Sequence, residues 1–391
     1  AERWSYSAGE VDATNVYTGG LHRGPYEGWG IVNGDTFSRE SVLQHPLALP
    51  INLRQTQGRP MLVTEGGWVP PNGFGAEGPF LISAYASLSG VAGYYWFTTG
   101  DEGWAPPQSA NGYLPSQQKW SFADPDVLGT FPAAALAYRS GYVNRGAPVV
   151  VDSRTLQELW ERKSPAPVEA TSFDPNRDAV SLLARLGLDT NVPAAAFLVG
   201  PVRVAFGSDR PRSTIASFGG FVDNDRVRAN TGQIALNSAQ GFCTVDAPMA
   251  QGVAAHFAQA PVHQLSDVRF TSGNAFGAAM AISLDGLPLA RSTRVLVQYG
   301  TQSRPTGWKQ LPATLKVEGQ AAVSGAEVVS FGQAPWQVES ALLDVVIKNP
   351  HLTSATALDM NGMASGPVAL KREGAQVSFR FPAAAMYVVL R

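Results

Sequence analysis

The feature that most restricts the fold is a change of texture near residue 146. Before it, apolar runs of strand length alternate with segments of helical period; after it, strand-like runs follow one another with turn signals between them. Two periodicities imply two architectures, because a run with period 2 buries one face of a sheet whereas a 3.6-residue period buries a helical stripe.

In the first part, "VDATNVY" (11–17), "PMLVTE" (60–65) and "GVAGYYWFTTG" (90–100) read as strands. "SRESVLQHPL" (38–47), "GPFLISAYASLSG" (78–90) and "DPDVLGTFPAAALAYRSGY" (124–142) read as helices, the last capped by Asp124 with Pro125 in its first turn. Strand and helix in alternation signal a parallel α/β arrangement. In the second part, "SRTLQELWERK" (153–163) and "RDAVSLLARLG" (177–187) read as helices, and "AAFLVGPVRVAF" (195–206) opens a series of strands that ends with "MYVVLR" (386–391). Turns such as "DGLP" (285–288), "NGMASG" (361–366) and the hairpin "REGAQ" (372–376) separate them, as in an antiparallel β-sandwich.

A chain of 391 residues suits two or three domains. The expected division is 1–145 for the α/β part, 146–310 for a β-rich sandwich domain with linking helices, and 311–391 for its continuation or a second small sandwich. Hydrophobic residues make up 45%, enough for sizeable cores.

Charge narrows the function. With 29 basic and 31 acidic residues and no long run of either, no basic face for nucleic acid or for a membrane surface is expected. The one cysteine, Cys243, rules out an internal disulfide and a cysteine-based zinc site, and it reads as a small hydrophobe inside a strand. His22, His45, His256, His263 and His351 include no pair at helical ligand spacing, so neither a metal nor another cofactor is indicated. No run approaches the ~18 apolar residues of a membrane span. "AERWSYSAGE" has neither the basic start nor the apolar centre of a signal peptide. Without a Gly-x-Ser-x-Gly elbow, serine-hydrolase chemistry lacks a local signature, and ester cleavage is the weakest of the alternatives.

The chemistry-bearing stretch is "RPMLVTEGGWVPP" (59–71), where Glu65 follows an apolar run and precedes Gly66, Gly67 and Trp68. In a (β/α)8 barrel, catalytic side chains project from the carboxyl ends of the strands. Glu65 in "PMLVTEGGW", Tyr17 in "NVY" and Trp96 in "GYYWF" each end a strand in this reading. In that order they resemble strands seven, six and eight of the clan-A glycoside hydrolases. The resemblance covers about residues 1–145, and the trailing β-sandwich material also suits many bacterial members. It implies a partial (β/α)8 barrel of about three βα units, with Glu65 as nucleophile, Tyr17 hydrogen-bonded to it and Trp96 flooring the sugar. It also implies an O-glycosyl hydrolase acting on an oligo- or polysaccharide, with export to the periplasm or medium favoured over the cytoplasm.

Trp68 and Trp104 offer further faces for stacking on a pyranose. His22 and Glu77, from loops on the same side, are candidate contacts to sugar hydroxyls, as are Asp101 and Glu102. A retaining glycosidase needs a second carboxylate ~5 Å from the nucleophile. The clan takes it from strand four after an asparagine, yet no Asn-Glu pair precedes Glu65, and Glu10 sits at the wrong end of its strand. A barrel takes about 250 residues, so strands one to five have no counterpart in the 64 residues before Glu65. Open sheet edges then call for a partner chain, a homo-oligomer or a fold that covers them. The alternative from another class is a non-catalytic carbohydrate-binding or scaffold protein.

Overall fold

The computed structural model describes residues 2–98, 109–110, 114–161, 192–316 and 322–391. Strands dominate and helices are few, in a mixed α/β part and a β-rich part.

Strands β1 (Asp12–Thr18), β2 (Met61–Trp68) and β3 (Gly93–Trp96) form a parallel sheet with β2 in the middle. Helix α1 (Glu77–Ser89) crosses from β2 to β3 and ends at Gly90, whose φ of 69° is the left-handed conformation that glycine supplies at a helix end. After β3 the chain reaches helix α2 (Phe131–Arg139). The expected single helix over 124–142 is divided: Pro125–Leu128 forms one turn, and Pro132 starts α2 afresh at a position where a missing N–H costs nothing. The outer edges of β1 and β3 meet no further strand among the described residues.

The expected helix over 38–47 does not form. Thr36–Ser38 is a strand and Pro46–Ala48 a single 3-10 turn. Between them, the Ser41 hydroxyl and the Val42 N–H are drawn to the buried Glu77 carboxylate, 2.5 and 2.7 Å away. That tertiary demand outweighs a weak local preference. The run 195–206 is likewise not one strand: Ala196–Val199 is helical, and only Val202–Phe206 is extended. It pairs in parallel with Val150–Arg154 on one side and Arg54–Thr56 on the other. Within 153–163, the helix spans Leu156–Trp160 and starts with a capping box of Thr155 and Glu158. The candidate helix 177–187 lies outside the described residues.

The β-rich part is a sandwich. One sheet has ten antiparallel strands running from Val222–Asp223 through Gly277–Ser283 and Val295–Gly300 to Ala364–Pro367; the other has five. Tyr387–Leu390, close to the end of the sequence, lies inside the larger sheet between 295–300 and 355–358. Val253, Val297, Phe270 and Val345 fill the space between the sheets. The other face of the ten-stranded sheet is covered by α1 and α2, so Phe80, Leu81 and Tyr85 share a core with Cys243, Met280 and Ile282. Cys243 is fully buried there, its thiol pushed up to about 12 by desolvation. Thus α1 and α2 are held between the parallel sheet and the sandwich.

A smaller sheet ties the loops after β1 to the far end of the chain. Val323–Ser330 pairs with Thr36–Ser38, which pairs with His22–Arg23. Gly325 permits this approach, since a Cβ there would sit 2.1 Å from the Phe37 carbonyl oxygen. No helix among the described residues is long and apolar enough to cross a membrane.

Candidate active site

Glu65 lies on the central strand of the parallel sheet, half-buried. Its neighbours are fixed by a break in register. Thr14 faces Val63 but Asn15 faces Glu65, so one extra residue of β2 is accommodated beside Thr64. A bulge of this kind re-aims side chains, and here it brings the Tyr17 hydroxyl onto Glu65 Oε2 as a hydrogen-bond donor. The Thr64 hydroxyl donates to Asn15 Oδ1 at 2.7 Å on the same exposed patch. A carboxylate at the middle of a sheet, gripped by a phenol and open to solvent on its other side, has the geometry to act as a nucleophile or to bind a hydroxyl.

Gly66 explains why the strand continues as it does. A Cβ on it would meet the Tyr94 hydroxyl at 2.3 Å and the Val16 carbonyl oxygen at 2.8 Å. Tyr94 is therefore packed beneath Gly66 on the helix side of the sheet, and alternation turns Glu65 to the opposite face. The Tyr94 hydroxyl is buried with no hydrogen-bond partner among the described residues, and desolvation holds it well above the usual tyrosine value, so it is a neutral phenol.

The aromatic rings divide between the two faces. Trp96 stacks on Trp68 with centroids 5.8 Å apart and meets Phe131 at the start of α2 at 5.1 Å. Both tryptophans thus belong to the layer between strands and helices, away from the Glu65 face, and the expectation that they floor a sugar beside Glu65 does not fit this packing. The rings beside Tyr17 are others, which the sequence does not single out. The Trp120 ring lies 4.9 Å from the Tyr17 ring, and Phe97 is 6.1 Å from it. Alternation along β3 turns Tyr95, 59% exposed, away from Tyr94 and Trp96. Nothing local marks Trp120, because its approach to Tyr17 depends on a loop that closes over 103 residues of sequence.

Glu77 was expected at the surface and is instead fully buried at the start of α1. Its Oε1 accepts from the Trp68 indole N–H at 3.0 Å and from Val42 N–H, and its Oε2 from the Ser41 hydroxyl. Burial wins over these three donors and raises its pKa to about 7. It holds the end of β2 rather than meeting a substrate.

His22 is also buried. Its Nε2 lies 2.8 Å from Asp35 Oδ2, and its pKa is lowered because desolvation outweighs that partner. It supports the loop after β1 and does not reach solvent. Trp104, Asp101 and Glu102 lie outside the described residues. Glu10 is exposed, just before β1, far along the strand from Tyr17.

Among the described residues, no group of three or more His, Cys, Asp or Glu side chains gathers as a metal site. No protein family, curated protein or solved structure matches this chain.

Proposed function

We propose that this chain carries the nucleophile-bearing part of a retaining glycoside hydrolase that acts on an oligo- or polysaccharide. The observation that carries the reading is the Tyr17–Glu65 hydrogen bond on adjacent parallel strands. Glu65 attacks the anomeric carbon to form a glycosyl ester, and Tyr17 is the positioning residue that keeps the attacking oxygen directed at it. The leaving oxygen takes its proton from a second carboxyl, which afterwards activates water.

In this reading the three parallel strands are a partial (β/α)8 barrel, and the second carboxyl comes from strands that join its open edges. Support comes from the edge of β3, where a groove of about 280 Å³ runs between Ile82 and Ala86 of α1, Tyr95 and Trp96 of β3, and Phe131 and Tyr138 of α2. A parallel strand whose outer edge meets no strand among the described residues, beside an apolar groove, suits a further strand and helix, from a partner chain or a second copy. Export fits a polysaccharide substrate.

The test combines light scattering with a panel of aryl glycosides, using Glu65→Gln as control. Cleavage that Glu65→Gln abolishes, with net retention of anomeric configuration, supports the reading. A folded protein that retains carbohydrate binding and hydrolyses nothing, alone or after association, points instead to the non-catalytic binding or scaffold role.

A further inference from the structure

The loop after β1 exposes two large aromatic side chains, Tyr26 at 47% and Trp29 at 57%. They are three residues apart on a helical turn, in which Trp29 N–H and Gly30 N–H both donate to the Tyr26 carbonyl, at 2.8 and 2.9 Å. That spacing puts both rings on one side of the turn.

The turn is built on a rigid base. Glu27 Oε2 accepts from Gly24 N–H at 3.1 Å, and the Lys119 ammonium donates to the Glu27 carbonyl. Gly24 lies so close to Asp35 that a Cβ would come within 1.9 Å of Oδ1, and Asp35 in turn holds His22 and Val32 N–H. Lys119 is buried, its pKa lowered to about 8 by desolvation. A loop tip without a role does not need this buried scaffold of Asp35, His22 and Lys119, and two exposed aromatic rings held in place leave apolar surface in water at a cost.

The turn is also fastened to the Glu65 site. Trp120 donates its indole N–H to the Gly28 carbonyl at 2.7 Å, Lys119 N–H donates to the Trp29 carbonyl at 3.1 Å, and the Trp120 ring touches Tyr17, which holds Glu65. We propose that Tyr26 and Trp29 form an outer subsite that takes the apolar face of a pyranose ring in a polysaccharide whose adjoining units reach Glu65. Flat, pre-positioned rings suit the C–H face of a sugar. The exposed pair Arg23 and Glu27, 3.6 Å apart at the edge of the shelf, supplies a donor and an acceptor for its hydroxyls. The proposal rests on the glycosidase reading for its substrate class but not for its test.

The experiment is affinity electrophoresis of the full chain in native gels cast with mixed-linkage β-glucan, xylan, galactan or agarose. Retardation by at least one polysaccharide is expected, with affinity reduced roughly tenfold by Trp29→Ala and less by Tyr26→Ala. Trp29→Phe retains most of the retardation. Trp160→Ala, which removes an 87% exposed tryptophan elsewhere, leaves it unchanged. No retardation by any of the four, or equal retardation of wild type and both alanine variants, overturns the subsite. If Glu65→Gln keeps full hydrolytic activity, the catalytic reading fails while the shelf-dependent retardation stands.

Discussion

The parallel sheet and the ten-stranded sheet treat their two faces differently. In the ten-stranded sheet, Val253, Ala279 and Val297 face the second sheet and Val245, Ala250 and Ile282 face the helices, all essentially inaccessible to water. In the parallel sheet one face packs on α1 and α2 through Val16, Val63, Tyr94 and Trp96, whereas the other carries Asn15, Tyr17, Glu65 and Tyr95 in contact with solvent. A sheet covered on both sides can accept few polar groups without heavy desolvation. One covered on a single side can hold a carboxylate rigidly and still present it. The small sheet is braced against the sandwich through the helix layer whose core the two share.

If that division is right, substitutions separate cleanly into losses of function and losses of stability. The largest effect expected is on activity. Glu65→Gln lowers kcat for an aryl glycoside on the order of 10³-fold or more, while its urea midpoint stays near that of the wild type. A large fall in the midpoint would mean that Glu65 is structural, and the comparison would break at its functional end.

Phe270→Ala tests the other end. Phe270 is fully buried between the two sheets, and removing it is expected to cost about 3–5 kcal/mol in urea denaturation. Carbohydrate binding measured where the variant is still folded should be unchanged. Lost binding under those conditions would show that the sandwich core sets the site's geometry as well as its stability.

Glu77 lies where the two regions meet, and its effect depends on pH. Its pKa rises from the ordinary 4.5 to about 7 in the folded chain. Between those values the folded protein holds a proton that the unfolded chain releases, so stability is full below about 4.5 and declines as pH rises through about 7. A gap of that size corresponds to roughly 3 kcal/mol. In Glu77→Gln the amide oxygen can still accept from Trp68 and Val42, and the amide N–H can donate to Ser41, with nothing left to titrate. Urea midpoints measured from pH 4.5 to 8 should therefore slope less in the variant than in the wild type. Identical slopes would show that folding leaves the Glu77 pKa where it is in the unfolded chain.

The sequence made the regular elements of both regions readable wherever their burial is set by neighbours in sequence. β2 and α1 lie within a few residues of their expected bounds, because period and flanking glycines mark them. The failures share one cause. The segment 38–47 has a capped helical pattern, but its polar groups are claimed by Glu77; 54–56 has no strand pattern, but joins 202–206. His22, Glu77 and Trp68 read as surface residues because Asp35, Ser41 and α1, which bury them, cannot be assigned as neighbours from spacing. The Tyr17–Glu65 contact was legible from family resemblance, whereas Trp120, Tyr26 and Trp29 depend on loop closure, which leaves no periodic trace.

The smallest effects come from the two glycines after Glu65, which look equivalent in the sequence and are not in the structure. Gly66→Ala would push a methyl group against the Tyr94 hydroxyl and the Val16 backbone. Because Val16 is backbone-paired in β1 and the Tyr94 hydroxyl is buried, the strain is expected to cost about 1–3 kcal/mol and to shift Glu65 relative to Tyr17, lowering activity together with stability. At Gly67 the nearest atoms to a Cβ are the Phe97 carbonyl oxygen at 3.5 Å and Trp96 at 3.8 Å, ordinary contact distances. Gly67→Ala should change the urea midpoint by no more than the equivalent of ~0.5 kcal/mol. Measured side by side, the pair isolates the packing beneath Glu65. Equal tolerance of both alanines would mean that Tyr94 can move aside, and that the helix side of the small sheet is not the firm support from which Glu65 is presented.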